Sequence, residues 1–222
     1  MSGHRPSVQG ATGPAEELIA VLREEGVRDR RVLDAFRRVR REQFVPLAYV
    51  LHAYEDRPIP IARDQVTTQP SLVARMVEAL RLTGGERVLE VGTGLGFQAA
   101  ILAALAGEVY SVERFPELAE QASRNLALAR MEQVTVIIGD GTLGLPEHAP
   151  FDAIVVAAAA PEVPSPLVDQ LVDGGRLVHP LGPGGNEMVI AFRKEGGELT
   201  EESRLVPAYF VPLVGRYGLP EG

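Results

Sequence analysis

Apolar and polar positions along this chain follow a helical period first and a strand-and-helix alternation afterwards. From Pro14 to Glu25 and from Arg31 to Glu42 apolar residues recur at helical spacing, with Leu18, Val21 and Leu22 marking the face of the first helix and Val32, Leu33, Phe36 and Val39 that of the second. Gly26 between them suits a helix C-terminus. Phe44-Val45-Pro46 leads into a short helix or turn over Leu47 to Tyr54. Glu55 to Gln69 has no helical period and contains Pro58 and Pro60, which predicts an ordered loop. Pro70 then opens a helix to Leu82, with Leu72, Val73, Met76 and Leu80 inward.

Beyond Leu82 short apolar runs alternate with helical stretches. Strands are predicted at Val88 to Val91, Val109 to Val112, Val134 to Ile138, Ala153 to Val156 and Arg176 to Leu181. Helices fall at Phe97 to Ala106, Pro116 to about Arg130, and Pro164 to Val172, with Gly174-Gly175 as the turn into the fifth strand. Met188 to Phe192 and Leu205 to Phe210 are two late strands, close enough to pair antiparallel across the polar turn Lys194 to Gly197. The expected fold is a doubly wound α/β architecture: a mostly parallel, seven-stranded sheet behind an N-terminal helical extension. Residues 1–13 are expected to be a disordered arm, 14–69 the extension and loop, 70–214 the sheet domain and 215–222 a tail.

Composition narrows the chemistry. At 222 residues and 45% hydrophobic content the chain can bury a sizeable core. It has no cysteine, so disulfides, thiolate metal sites and cysteine nucleophiles are excluded, and a cytoplasmic location is expected. His4, His52, His148 and His179 show no ligand spacing, so no metal is expected. A net charge of −8 speaks against broad attraction to nucleic acid. The basic run Arg37-Arg38-Val39-Arg40-Arg41 reads as the solvated side of a helix. No apolar run approaches the ~20 residues of a membrane span.

The candidate chemistry centres on Gly92-Thr93-Gly94-Leu95-Gly96, between the first strand and an Ala/Leu-rich helix. G-x-G-x-G differs from the dinucleotide spacing G-x-G-x-x-G. Preceded by Glu90, it suits a ligand without phosphate whose amino-acid end and ribose lie over the turn, such as S-adenosylmethionine. Glu113 ends the second strand 21 positions after Gly92, where a carboxylate can accept both ribose hydroxyls. In such sheets ligands sit beyond the carboxyl ends of the strands, which adds Asp140-Gly141 after the third strand, for an adenine amino group and its base, and Ala157 after the fourth.

Several segments in one order, from Val32 to Leu213, make the chain similar to the protein-L-isoaspartate (D-aspartate) O-methyltransferases: REQFVP at 41–46, AYEDRPIPI at 53–61, DQVTTQP at 64–70, VLEVGTGLGFQAA at 88–100, YSVER at 110–114, GDG at 139–141, APFDAIVVAAAAP at 149–161, GGRLVHPLG at 174–182 and FVPL at 210–213. The resemblance implies a class I methyltransferase fold and S-adenosylmethionine as cofactor, held by Glu90, Gly92, Thr93, Gly94, Gly96, Gln98, Glu113, Arg114, Asp140, Gly141 and Ala157. It implies methylation of the free α-carboxylate of isoaspartyl residues in damaged proteins. The ester then closes to a succinimide that partly reopens to aspartate. Thr68 matches the serine of the family's Gly-Gln-Thr-Ile-Ser-Gln-Pro loop and would be catalytic, with Asp64, Val66, Thr67, Gln69, Ala159 and His179 around the substrate. Asp64 replaces the usual glycine, Thr67 the usual isoleucine, and Ala157 the usual threonine.

The implied partners are isoaspartyl proteins and peptides, with a monomer as the expected assembly and neither nucleic acid nor membrane involved. A relative retuned to an aspartyl carboxylate and a non-catalytic cofactor binder remain alternatives. A nucleic-acid amino-methyltransferase is disfavoured by Ala157-Ala158-Ala159-Ala160-Pro161, where an Asn/Asp-Pro-Pro-aromatic run is common.

Overall fold

The computed structural model describes residues 13–182 and 185–220. The arm expected at 1–13 lies, apart from Gly13, outside them.

Helix α1 (Pro14–Glu24) starts on a proline, whose fixed φ and missing N–H suit a first turn. Helix α2 (Arg30–Arg38) is capped by Asp29, which accepts from Arg31 N–H at 2.7 Å. It ends four residues before the expected Glu42, and Arg41–Phe44 forms a separate 3₁₀ turn, followed by another at Leu47–His52.

The stretch expected to be a loop contains a small hairpin, β1 (Ile59–Pro60) against β2 (Val66–Thr67). Its turn runs over Ala62-Arg63-Asp64-Gln65, with Gln65 N–H donating to Ala62 O at 3.3 Å. Arg63 (φ 62°) and Asp64 (φ 54°) are both left-handed. That is a type I′ geometry, and the usual Asn-Gly signal for it is absent. Helix α3 (Pro70–Ala79) follows.

The main sheet has seven strands: β3 (Arg87–Val91), β4 (Glu108–Glu113), β5 (Val134–Ile138), β6 (Phe151–Val156), β7 (Leu171–Leu181), β8 (Glu187–Glu195) and β9 (Glu198–Ala208). Their order is β5-β4-β3-β6-β7-β8-β9, parallel through β7 and antiparallel across β8 and β9. Helices α4 (Phe97–Ala103), α5 (Pro116–Leu128) and α6 (Ser165–Gln170) make the crossovers. Strand order reverses between β3 and β6, so a crevice opens at their carboxyl ends.

Two strands begin well before their expected positions. Strand β7 begins at Leu171, and Gly174-Gly175 lies inside it, within the bulge between the Phe151↔Leu171 and Ala153↔Arg176 pairs. Strand β9 covers the polar segment from Glu198 onward, a charged edge strand with no apolar alternation to reveal it.

The helical extension is not a separate body. Leu18, Ile19, Leu22, Leu33 and Phe36 share one buried core with Met76, Val77, Ile101 and Leu102, and the Phe36 and Phe97 rings meet edge-on at 5.6 Å. The 215–220 segment is stitched down as well: Arg216 N–H donates to Asp140 (2.8 Å) and Tyr217 N–H to the Thr142 hydroxyl (3.1 Å). Among the described residues no helix is long and apolar enough to cross a membrane.

Candidate active site

The crevice is a cleft that encloses about 910 Å³ of space once its opening to solvent is included. One wall is made of strand ends. Gly92 N–H donates to Val112 O (2.9 Å) and Gly94 N–H to Glu113 Oε2 (2.9 Å), so the turn after β3 is strapped to the end of β4. This pairing is the physical content of the 21-residue spacing. Gly92 has φ +94°, and a Cβ there would stand 3.4 Å from the Ala157 methyl and strain the backbone. Gly96 meets Leu126 and Ala122 instead, so it serves the packing of α4 on α5 and does not line the cleft.

Acids support the turn from behind. Glu90 is fully buried beneath it and accepts a bond from the Ser111 hydroxyl, which lies 2.5 Å from the hydroxyl of Thr93. Burial pushes the Glu90 carboxyl up to about 8, against the opposing pull of Ser111 and Gln98. Ser111 carries no signal of its own, being one hydroxyl in an apolar strand, but it stands in register with Glu90. Glu113 faces the cleft and is raised by burial, although the N–H groups of Phe115 (3.0 Å) and Gly94 favour its ionised form.

The opposite wall is the hairpin. Ile61, Gln65, Val66, Thr67 and Thr68 line the cleft from this side. The Thr68 hydroxyl makes no hydrogen bond among the described residues. It does not cap α3: the cap residue is Gln69, and Ser71 N–H is taken by Asp56 at 2.8 Å. Arg63 pairs with Glu117 in the first turn of α5 through two bonds, at 2.8 and 2.7 Å, tying the hairpin tip to the far side of the cleft.

The cleft therefore brings together Val66, Thr67, Thr68, Gly92, Thr93, Gly94, Gln98, Glu113, Arg114, Gly141 and Ala157. Other expected site residues stand outside its lining. Asp64 is exposed at the hairpin tip, where its charge faces water. Gln69 donates to Asp56 (2.8 Å) and Ser71 (3.1 Å). Asp140 spends its oxygens on Thr142 and on Arg216 N–H; burial would raise its pKa, but those donors leave it lowered. Gly141 is glycine because a Cβ would collide with the Val91 side chain. Ala159 works through its backbone, donating to Val211 O (2.8 Å) and accepting from Leu213 N–H (2.7 Å). His179 is wholly buried in β7, with Nε2 on Ala158 O at 3.1 Å; burial lowers it to about 3 and keeps it neutral.

Sequence reasoning missed a third wall. Val211 to Val214, held by Ala159, closes the cleft, and Phe44, Phe97, Phe115 and Leu118 make it apolar. The FVPL motif had supported the resemblance without any assigned role at the site.

S-adenosylmethionine fits this lining. Neither amide atom of Gln98, buried on the cleft wall, makes a well-formed hydrogen bond; the amide only comes close enough to the Glu90 carboxyl to favour its ionised form. A donor and an acceptor side by side suit a zwitterionic amino-acid end. Glu113 presents a carboxylate for the ribose, and Gly92 leaves the backbone open to close approach.

Comparison with known proteins agrees. The family model described as Protein-L-isoaspartate(D-aspartate) O-methyltransferase (PCMT) matches residues 13–218. Protein-L-isoaspartate O-methyltransferase of Methanoculleus marisnigri is 48% identical over 204 residues, 91% of this chain and 92% of its own. A solved protein-L-isoaspartate O-methyltransferase superposes with a TM-score of 0.81 at 32% identity, over 92% of this chain and 67% of its own. A Plasmodium falciparum structure holding S-adenosyl-L-homocysteine shares the fold, with a TM-score of 0.77 at 23% identity over 90% of this chain and 98% of its own. With its glycine turn, its paired acids and nearly its whole length accounted for in this way, the chain belongs to the protein-L-isoaspartate (D-aspartate) O-methyltransferase family.

Proposed function

We propose that Thr68 aligns the substrate carboxylate and that Gly92, Thr93, Gly94, Gln98, Glu113, Arg114, Gly141 and Ala157 hold the cofactor. The enzyme is an S-adenosylmethionine-dependent isoaspartyl carboxyl methyltransferase. When bound, the cofactor supplies a methyl group on a positively charged sulfur, already activated for transfer. The chain's own task is then light. The α-carboxylate has a pKa near 4 and is ionised at neutral pH, so no residue need remove a proton. An uncommitted hydroxyl at Thr68 can donate to one carboxylate oxygen and fix the direction of the other without neutralising it. The apolar residues Phe44, Phe97 and Leu213 exclude water, which would otherwise solvate and blunt the nucleophile.

The observation that carries the Thr68 assignment is its free hydroxyl in a loop where the neighbouring side chains are already engaged. The altered loop gives no support to a retuned substrate: Asp64 is a turn residue, and the Thr67 hydroxyl accepts from Ile59 N–H (3.1 Å) and Arg41 (3.3 Å). Isoaspartyl proteins in the cytoplasm are the proposed substrates and a monomer the proposed state, which gel filtration checks.

The test uses labelled cofactor with an isoaspartyl peptide and its aspartyl twin. Only the isoaspartyl form should turn over. Thr68→Ala should lower kcat by about 10- to 100-fold, with affinity for S-adenosylhomocysteine within about threefold. Equal loss of both would remove Thr68 from the proposed role.

A further inference from the structure

Thr68 must present its hydroxyl accurately, yet the hairpin before it has only two residues in each strand. An isolated hairpin of that kind is marginal in water. Its accuracy has to come from elsewhere.

Arg41 is the exception in its basic run. Arg38 and Arg40 are exposed, whereas Arg41 is 1% exposed. Its guanidinium donates to the carbonyls of Ala53 (2.6 Å), Glu55 (3.1 Å) and Arg57 (3.5 Å) and to the Thr67 hydroxyl (3.3 Å). It also lies over the Phe97 ring, 5.3 Å from the centroid. Only a planar fork of five donors can gather so many oxygens at once. Burying a cation among neutral acceptors is costly, and burial lowers this group to about 10. The same short loop, 53–57, also reaches the other side of Thr68. Asp56 accepts from Ser71 N–H (2.8 Å) and from the Gln69 amide (2.8 Å).

We propose that Arg41 and Asp56 are positioning residues for the methyl transfer, locating the Thr68 hydroxyl by gripping Thr67 on one side and Gln69 on the other. Neither lines the cleft, and neither touches substrate. Both act through the 53–57 loop, so the two grips move together. A displacement of about 1 Å at a reacting group can cost on the order of a hundredfold in rate, which is the scale on which such a frame matters.

The inference rests on the Thr68 reading, and the experiment separates the two. Thr68→Ala, Thr67→Val, Asp56→Ala, Asp56→Asn and Arg41→Lys are compared with the parent for kcat, peptide KM, S-adenosylhomocysteine affinity by calorimetry and thermal midpoint. Thr67→Val and Asp56→Ala should each lower kcat by about tenfold, with KM and cofactor affinity within about threefold. Asp56→Asn should recover most of the loss, since Gln69 can turn its amide to meet it. Arg41→Lys keeps a cation but cannot span the loop and Thr67 together. Combined with Thr67→Val it should be no worse than alone, the non-additivity of one shared path. Should Arg41→Lys fail to fold, the Thr67 and Asp56 variants decide. Either Thr67→Val or Asp56→Ala keeping kcat within about twofold overturns the proposal, as does parallel loss of cofactor affinity. An unchanged kcat in Thr68→Ala would instead sink the Thr68 reading itself.

Discussion

The strand-end wall of the cleft and the hairpin wall facing it are built by opposite means. The first is backbone seated on the sheet itself: Gly92 hangs on the Val112 carbonyl and Gly94 on the Glu113 carboxylate, both at the end of β4 within a seven-stranded sheet. The second is a marginal hairpin held by side chains, through Arg41, Asp56 and Arg63. A wall made of backbone leaves little room for substitution, because Gly92 and Gly94 hold a left-handed backbone that a Cβ would strain. A wall made of side chains can change residue by residue while the grip is kept. Three of the four departures from the family pattern, at Asp64, Thr67 and Thr68, lie in or beside the hairpin, and the fourth, Ala157, stands on the strand-end wall.

This contrast can be broken at its strong side first. Gly92→Val should reduce S-adenosylhomocysteine affinity by about a hundredfold or more, since it combines a strained left-handed backbone with a side chain aimed at Ala157. Calorimetry showing near-parent affinity would mean that the turn is not the binding surface. The buried acid behind the turn gives a pH signature. Glu90 is raised from 4.5 to about 8, so the folded state binds that proton more tightly than the unfolded one. Its stabilising contribution is full below about pH 4.5 and lost as pH rises towards 8. The thermal midpoint should therefore fall over that window by several degrees more in the parent than in Glu90→Gln. His179 acts in the reverse sense, losing stability as pH falls from 6.5 towards 3, so the two windows overlap and only the difference between variants isolates Glu90.

On the hairpin side smaller effects are expected. Asp64→Gly relieves a left-handed residue at the turn and should stabilise the protein by about 0.5–1 kcal/mol with kcat unchanged. A fall in kcat would show that the tip charge acts on the substrate. Arg63→Ala should weaken S-adenosylhomocysteine binding only about twofold at low salt, and not at all in 1 M salt, because its pair with Glu117 is solvent-exposed.

The same contrast explains what could be read from the chain beforehand. Glycines at 92 and 94 and an acid at 113 are forced by local backbone geometry, so they announce the sheet, the switch point and the cofactor. The hairpin was illegible because its turn uses Arg63-Asp64 where a glycine would have signalled it. Arg41 was illegible for a different reason. Nothing local separates it from Arg38 and Arg40; only the fold brings Ala53, Glu55 and Thr67 around it. Asp140 and His179 sit near strand ends, as expected of site residues, yet the first stands outside the cleft lining and the second lies inside the sheet. Position at a strand end fixes proximity to a ligand, not direction towards it.

The wall at Val211 to Val214 has a consequence for how the pocket is assembled. It follows the last sheet strand in the chain and is held by two backbone bonds to Ala159, while Arg216 just beyond it donates to Asp140. The pocket that mends other polypeptides is thus completed from both ends of its own chain, with Phe44 ahead of the sheet and 211–214 behind it.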